Sequence, residues 1–166
     1  MIFGLSIGAF TTIHTIISLL AIAAGVVVLA LLIVGRMARV VTLLYLITSI
    51  LTDVTGFMFY KGSFGPPYVV GVVSLIVLLL ACFALYSARL AGGWRGTWVV
   101  CAVIGLYLNV FVLVVQAFGK LPALHALAPN GSEPPFAIAQ GVTLLVFVAL
   151  GWLAFIRFRP ATPARA

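Results

Sequence analysis

Five stretches of about 20 mostly apolar residues dominate this chain, each long enough to cross a bilayer, and they leave little sequence between them. They cover residues 12–34, 40–60, 68–90, 97–118 and 136–156. A helix satisfies every backbone N–H and C=O within one such segment, so the expected fold is all-α, an integral membrane bundle of five transmembrane helices. The links 35–39, 61–67 and 91–96 are short, which makes successive helices antiparallel neighbours; 119–135 is longer. A single membrane domain then accounts for residues 1–166, with 157–166 as a short tail.

Composition enters as a test of that reading. The chain is 65% hydrophobic and 7% charged, whereas soluble domains carry roughly 25% charged residues. A net charge of +7 would suit nucleic acid. The basic residues, however, stand singly or in pairs at the ends of apolar runs, so there is no continuous basic surface and nucleic acid is excluded as a partner. Cys82 and Cys101 lie inside apolar runs without CxxC spacing and read as packing residues. The first ten residues lack a basic leader and their apolar character continues to Val34, which argues against a cleaved signal peptide.

Charge placement orients the bundle. Arg36, Arg39, Arg89, Arg95, Arg157, Arg159 and Arg165 fall at one end, and only Lys61 and Lys120 at the other. By the positive-inside rule the amino terminus is expected outside and the carboxyl terminus in the cytoplasm. Trp94, Trp98 and Trp152 are then expected at the inner interface, and Tyr60, Tyr68, Phe118 and Phe136 at the outer one. Thr11 or Thr12 is the expected N-cap of the first helix, which puts His14 in its first turn as a neutral ring.

Stripes of small and polar residues run along the helices: His14, Ser18, Ala21 and Gly25; Tyr45, Ser49, Thr52 and Gly56, with Asp53 beside them; Ala102, Gly105, Asn109 and Gln116; Gln140, Thr143 and Gly151. Such spacing first of all marks packing faces. Threaded through the expected topology, His14, Asp53, Asn109, Gln116 and Gln140 gather in the outer half of the bundle, with His125 and Glu133 in the link above them. Two readings compete for this cluster. In one, the amides bond across helices and the loop groups cap helix ends, with Ser132 or Glu133 capping the fifth helix and Pro134 or Pro135 in its first turn. In the other, His14, Asp53, Asn109, Gln116, Glu133 and Gln140 line an outward-facing polar pocket for a small polar or amphipathic molecule, the default for ionisable groups within a membrane. Asp53 is the sharpest item, with His14 as its expected partner, because a lone carboxylate in a membrane must be protonated or paired.

Cofactor chemistry finds little support. A b-type haem needs a histidine, usually two, across the bundle. Here only His14 lies in a helix run and His125 is in a link, so that pair would be strained. There is no H-E-x-x-H spacing for a metal, no nucleotide loop and no nucleophile elbow. No cofactor is therefore expected, haem remaining the one alternative.

From residue 13 to 160 the chain resembles a family of small bacterial multi-pass membrane proteins without an established activity. The likeness is carried by Leu106-Tyr107-Leu108-Asn109-Val110-Phe111, Gln116-Ala117-Phe118, Pro122-Ala123-Leu124, Ala126-Leu127-Ala128-Pro129, Ser132-Glu133-Pro134-Pro135-Phe136 and Gln140. It implies no mechanism. In that family an uncharged small residue often stands at the position of Asp53, which moves weight to His14, Asn109, Gln116, Glu133 and Gln140. The expected function is a non-enzymatic binding, transport-related or accessory membrane protein with an unidentified small-molecule ligand. The alternative is a cytochrome-like or lipid-modifying enzyme using the same pocket. At 17.6 kDa, five helices seldom enclose a full transport path, so a homo-oligomer or a larger membrane complex is expected beside the lipid bilayer as partner.

Overall fold

The computed structural model describes residues 4–59 and 65–159. They form α1 (Ile7–Ile33), α2 (Arg39–Phe57), α3 (Pro66–Cys82) prolonged by a π-helical turn (Phe83–Ser87), α4 (Trp94–Lys120), the single turn α5 (Pro122–His125) and α6 (Pro134–Arg157). There is no strand among the described residues. Five of these helices, counting α3 with its π turn, are long and apolar enough to cross a membrane. Tyr60, Lys61 and the tail beyond residue 159, with Arg165, lie outside the described residues.

The helices follow the apolar runs, with ends set by capping chemistry. α1 starts earlier than expected, because Ser6 and not a threonine is its N-cap: Ser6 Oγ accepts from the Ala9 N–H at 3.2 Å. Thr11 and Thr12 are already helical and turn their hydroxyls back to the carbonyls of Ile7 and Gly8, at 2.8 and 3.1 Å. His14 therefore sits about two turns into α1 and not in its first turn. α6 opens as expected, with prolines at its first positions, where a missing N–H costs nothing. At the other end of α3, Arg89 and Leu90 adopt left-handed backbone (φ 49° and 60°), turning the chain into α4.

α4 is the central helix, packed against α1, α3 and α6, while α2 bridges α1 and α3. The buried core occupies one end of the bundle, the end that carries the arginines. It is built from Val28, Leu32, Tyr45, Leu46, Leu78, Ala81, Trp98 and Leu106, closed off by Phe158. Glycines let the backbones approach there. A Cβ on Gly25 would lie 2.6 Å from Leu106 Cδ1, and one on Gly105 would lie 2.8 Å from Leu78 Cδ2 and 2.9 Å from the Tyr45 hydroxyl. Tyr45 is wholly buried and its hydroxyl donates to the Ala102 carbonyl at 2.7 Å, so its polar tip is satisfied.

Trp98 departs from its expected place at the interface: it is 0% exposed and fills the core. Its indole N–H has no hydrogen-bond partner among the described residues, and Trp94 and Trp152 remain exposed. Arg95 also does more than anchor a helix. Its Nη1 donates to the carbonyls of Phe155 and Phe158, at 2.9 and 2.6 Å, and its guanidinium lies 5.2 Å from the Phe155 ring centre. A cation on the unsatisfied carbonyls of a helix C-terminus is favourable, and here it ties α6 to α4. α6 buries only Ala154 fully; Phe147, Leu150 and Phe155 pack partly against the core, while Ile138, Val142, Leu145 and Val148 are exposed, as suits lipid.

Candidate functional site

At the opposite end α1 to α4 no longer interlock, and a cavity of about 700 Å³ opens between them. The cause is side-chain size. Where the core is filled by Tyr45, Leu78 and Trp98, the same helix faces one to three turns further on carry Ser18, Thr52, Gly56 and Ser74. A Cβ on Gly56 would meet nothing nearer than His14 Cε1, at 3.7 Å. The stripes read from the sequence thus divide. Ala21, Gly25, Tyr45, Ser49, Ala102 and Gly105 pack helix on helix, while His14, Ser18, Thr52, Asp53, Gly56 and Gln116 line the hollow. Asn109 stands at the boundary, donating from Nδ2 to Ser49 Oγ at 3.2 Å, and also faces the cavity.

Four of the six candidate residues, His14, Asp53, Asn109 and Gln116, come together in this lining. His14 does not pair with Asp53 as expected. Its Nδ1 is 2.7 Å from Thr55 Oγ1, and its ring packs edge-on against Phe59 at 5.2 Å. Thr55 lies half a turn past Asp53 on α2, and the ring's Nδ1 is taken up there. Asp53 is 9% exposed, and its Oδ2 has no hydrogen-bond partner among the described residues. Ser74 Oγ, equally buried, is near enough to act on that carboxyl but completes no hydrogen bond of good geometry with it. Gln116 and Lys120 are exposed toward the rim.

Glu133 and Gln140 do not belong to the cavity. Glu133 holds the α5–α6 link: its Oε1 accepts from the backbone N–H and the side-chain amide of Asn130, at 3.0 and 2.8 Å, and its Oε2 accepts from the Ser132 N–H at 3.0 Å. These donors, led by the Asn130 N–H, hold the Glu133 carboxyl down at about 2. It occupies the N-cap position of α6, but its side chain serves the link and makes no cap bond to the helix. Gln140 donates from Nε2 to the Phe111 carbonyl at 3.1 Å, which together with the Phe118–Phe136 ring contact at 5.4 Å fastens α6 to the outer flank of α4. That contact serves packing, the first of the two readings of the sequence.

Among the polar lining residues, Thr15, Ser74 and Lys120 are not marked out as site residues by the sequence pattern. Ser74 is the one serine or threonine within α3, set among Val, Leu and Ile, and that isolation is its signal. Lys120 was counted for topology alone. His125 is exposed on α5 and does not line the cavity, so it does not face His14 across it as a haem would require. Among the described residues no three of His, Cys, Asp and Glu gather as a metal ion would need, and Cys82 and Cys101 are free thiols. No protein-family model, no curated protein and no solved structure matches the chain.

Proposed function

We propose that this chain is a non-enzymatic, multi-pass protein of a bacterial inner membrane that binds a small amphipathic molecule in the cavity between α1 and α4. Its place in a bacterial membrane rests on the likeness of residues 106–140 to the small bacterial family. The described arginines at the core end, against the single described lysine, Lys120, at the cavity end, support a cavity that opens outward, with the amino terminus outside and the carboxyl terminus in the cytoplasm. Binding sites for small molecules are concave, mostly apolar, roughly 300–1,000 Å³ and furnished with a few polar groups. The cavity has that size, apolar walls such as Leu19, Val112 and Leu113, and a small polar set. The observation that carries the reading is a cavity of this size lined by Asp53, a nearly buried carboxylate whose Oδ2 has no hydrogen-bond partner among the described residues. A buried polar atom without a partner is costly, and a ligand would supply one. With five helices at 17.6 kDa, the protein would hand its ligand to, or serve as a subunit of, a larger membrane assembly.

The test is thermal melting of the purified protein against a panel of lipids and metabolites. At least one compound is expected to raise the melting temperature in a saturable way, with the shift lost in Asn109→Ala and Gln116→Ala. If no compound shifts it, or if the shift survives both substitutions, the reading fails. Orientation is checked separately with an impermeant thiol reagent in a Cys82→Ala, Cys101→Ala background. Asn130→Cys is expected to react from outside and Gly93→Cys is not; the reverse pattern would invert the topology.

A further inference from the structure

The hydrogen-bonding groups left over in the cavity define the chemistry that would complete it, granted the reading above that it binds a molecule at all. The lining hydroxyls of Ser18 and Thr52 already donate to the backbone carbonyls of His14 and Thr48, at 2.7 and 2.9 Å. Thr55 likewise gives its hydrogen to the Leu51 carbonyl at 2.6 Å, so the hydrogen in its 2.7 Å contact with His14 comes from the ring. That network assigns the proton to Nδ1 and leaves Nε2 as a bare acceptor. Asn109 uses one N–H on Ser49 and keeps its carbonyl oxygen and its second N–H. Asp53 Oδ2 is an acceptor with nothing donating to it.

The remainder is a surplus of acceptors with one potential negative charge, in a space also lined by the rings of Phe57 and Phe59. Its buried donors are few: the second N–H of the Asn109 amide, and the Ser74 hydroxyl, which already lies beside the Asp53 carboxyl. The cation of the lining, Lys120, is exposed at the rim. Counted along α4 from the Asn109–Ser49 contact, it stands about 10 Å beyond the level of Asp53. At that distance water and salt screen much of its effect.

We infer that the ligand is an organic amine with an apolar body, whose ammonium rests against Asp53 and whose hydrocarbon lies along Leu19, Val112 and Leu113. An ammonium offers donors and no acceptor, and it supplies the counter-charge that a carboxylate within a membrane requires. Aromatic faces beside it add attraction for a cation but not for an alcohol or a carboxylate. A carboxylate-headed amphiphile would set like charge against Asp53, and an alcohol would leave that charge unpaired.

The experiment uses a matched series, octylamine, octanol and octanoate, titrated against the full-length protein in lipid nanodiscs with melting temperature as the readout. Octylamine is expected to stabilise with at least tenfold higher affinity than octanol, and octanoate not to stabilise at all. Asp53→Asn is expected to abolish the preference for amine over alcohol, and Asp53→Ser provides a second variant should the first fold poorly. Octanol or octanoate binding as well as octylamine, or a preference for amine that survives both substitutions, would overturn the amine inference and leave the binding cavity standing. Silence from all three compounds together with the wider panel would remove the cavity reading itself.

Discussion

The two ends of this bundle are built from the same helices and the same kind of sequence, yet one is solid and the other hollow. At the core end Gly25 and Gly105 face Leu106, Tyr45 and Leu78, so each small residue receives a large one from the neighbouring helix. At the cavity end the Phe57 ring still fills against Gly71, but Gly56 has nothing nearer than His14 Cε1, Ser18 and Thr52 are small, and the space stays open. A stripe of small residues is thus neither packing nor pocket by itself. What faces it decides, because close packing needs a partner of complementary volume.

Substitutions at matched positions can break that contrast. The largest effect is expected from Gly25→Val, whose added carbons would collide with Leu106 and Tyr45 and cost about 3 kcal/mol in reversible unfolding. Gly56→Ala at the cavity end is expected to leave stability unchanged or slightly raised. Equal losses at the two sites would mean that the ends are packed alike.

Next in size is Arg95→Met. It removes two charge-assisted bonds to the last turn of α6 and should cost about 2 kcal/mol. Hydrogen exchange would show faster opening confined to the end of α6; opening across α1 to α4 would contradict the clamp.

Asp53→Asn should move stability the other way, raising it by about 1 kcal/mol in the ligand-free protein, since a buried charge without a partner is removed. A clear loss would show that Asp53 already has a stabilising partner. The smallest effect belongs to the link. The Glu133 carboxyl is held down at about 2 from its ordinary value of 4.5, so its hold on the link is complete above pH 4.5 and is lost as pH falls through about 2. Amide exchange at Asn130 and Ser132 should quicken over that window, and in Glu133→Gln at neutral pH, with melting temperature nearly unmoved.

The spans were legible because a membrane segment must be both long and apolar, and both properties can be read from residues in order. The N-cap was misplaced by five residues or more because Ser6 and Thr11 have equally good side chains for that role, and only backbone geometry chooses between them. His14, Asp53, Asn109 and Gln116 were found by asking which polar residues a membrane helix would not carry without a reason. Glu133 and Gln140 met the same criterion but serve the link and the seam between α4 and α6. Polarity says that a group needs a partner, and not which one.

The order of residues alone determined that this chain forms five apolar helices with its positive charge at one end, since the cost of an unsatisfied backbone group or a charge in hydrocarbon is local to each segment. Which end fills and which stays open, and that His14 turns to Thr55 and leaves Asp53 unpartnered, were decided by tertiary structure. These depend on the volume and donors that another helix, tens of residues away, brings to the same level of the bundle.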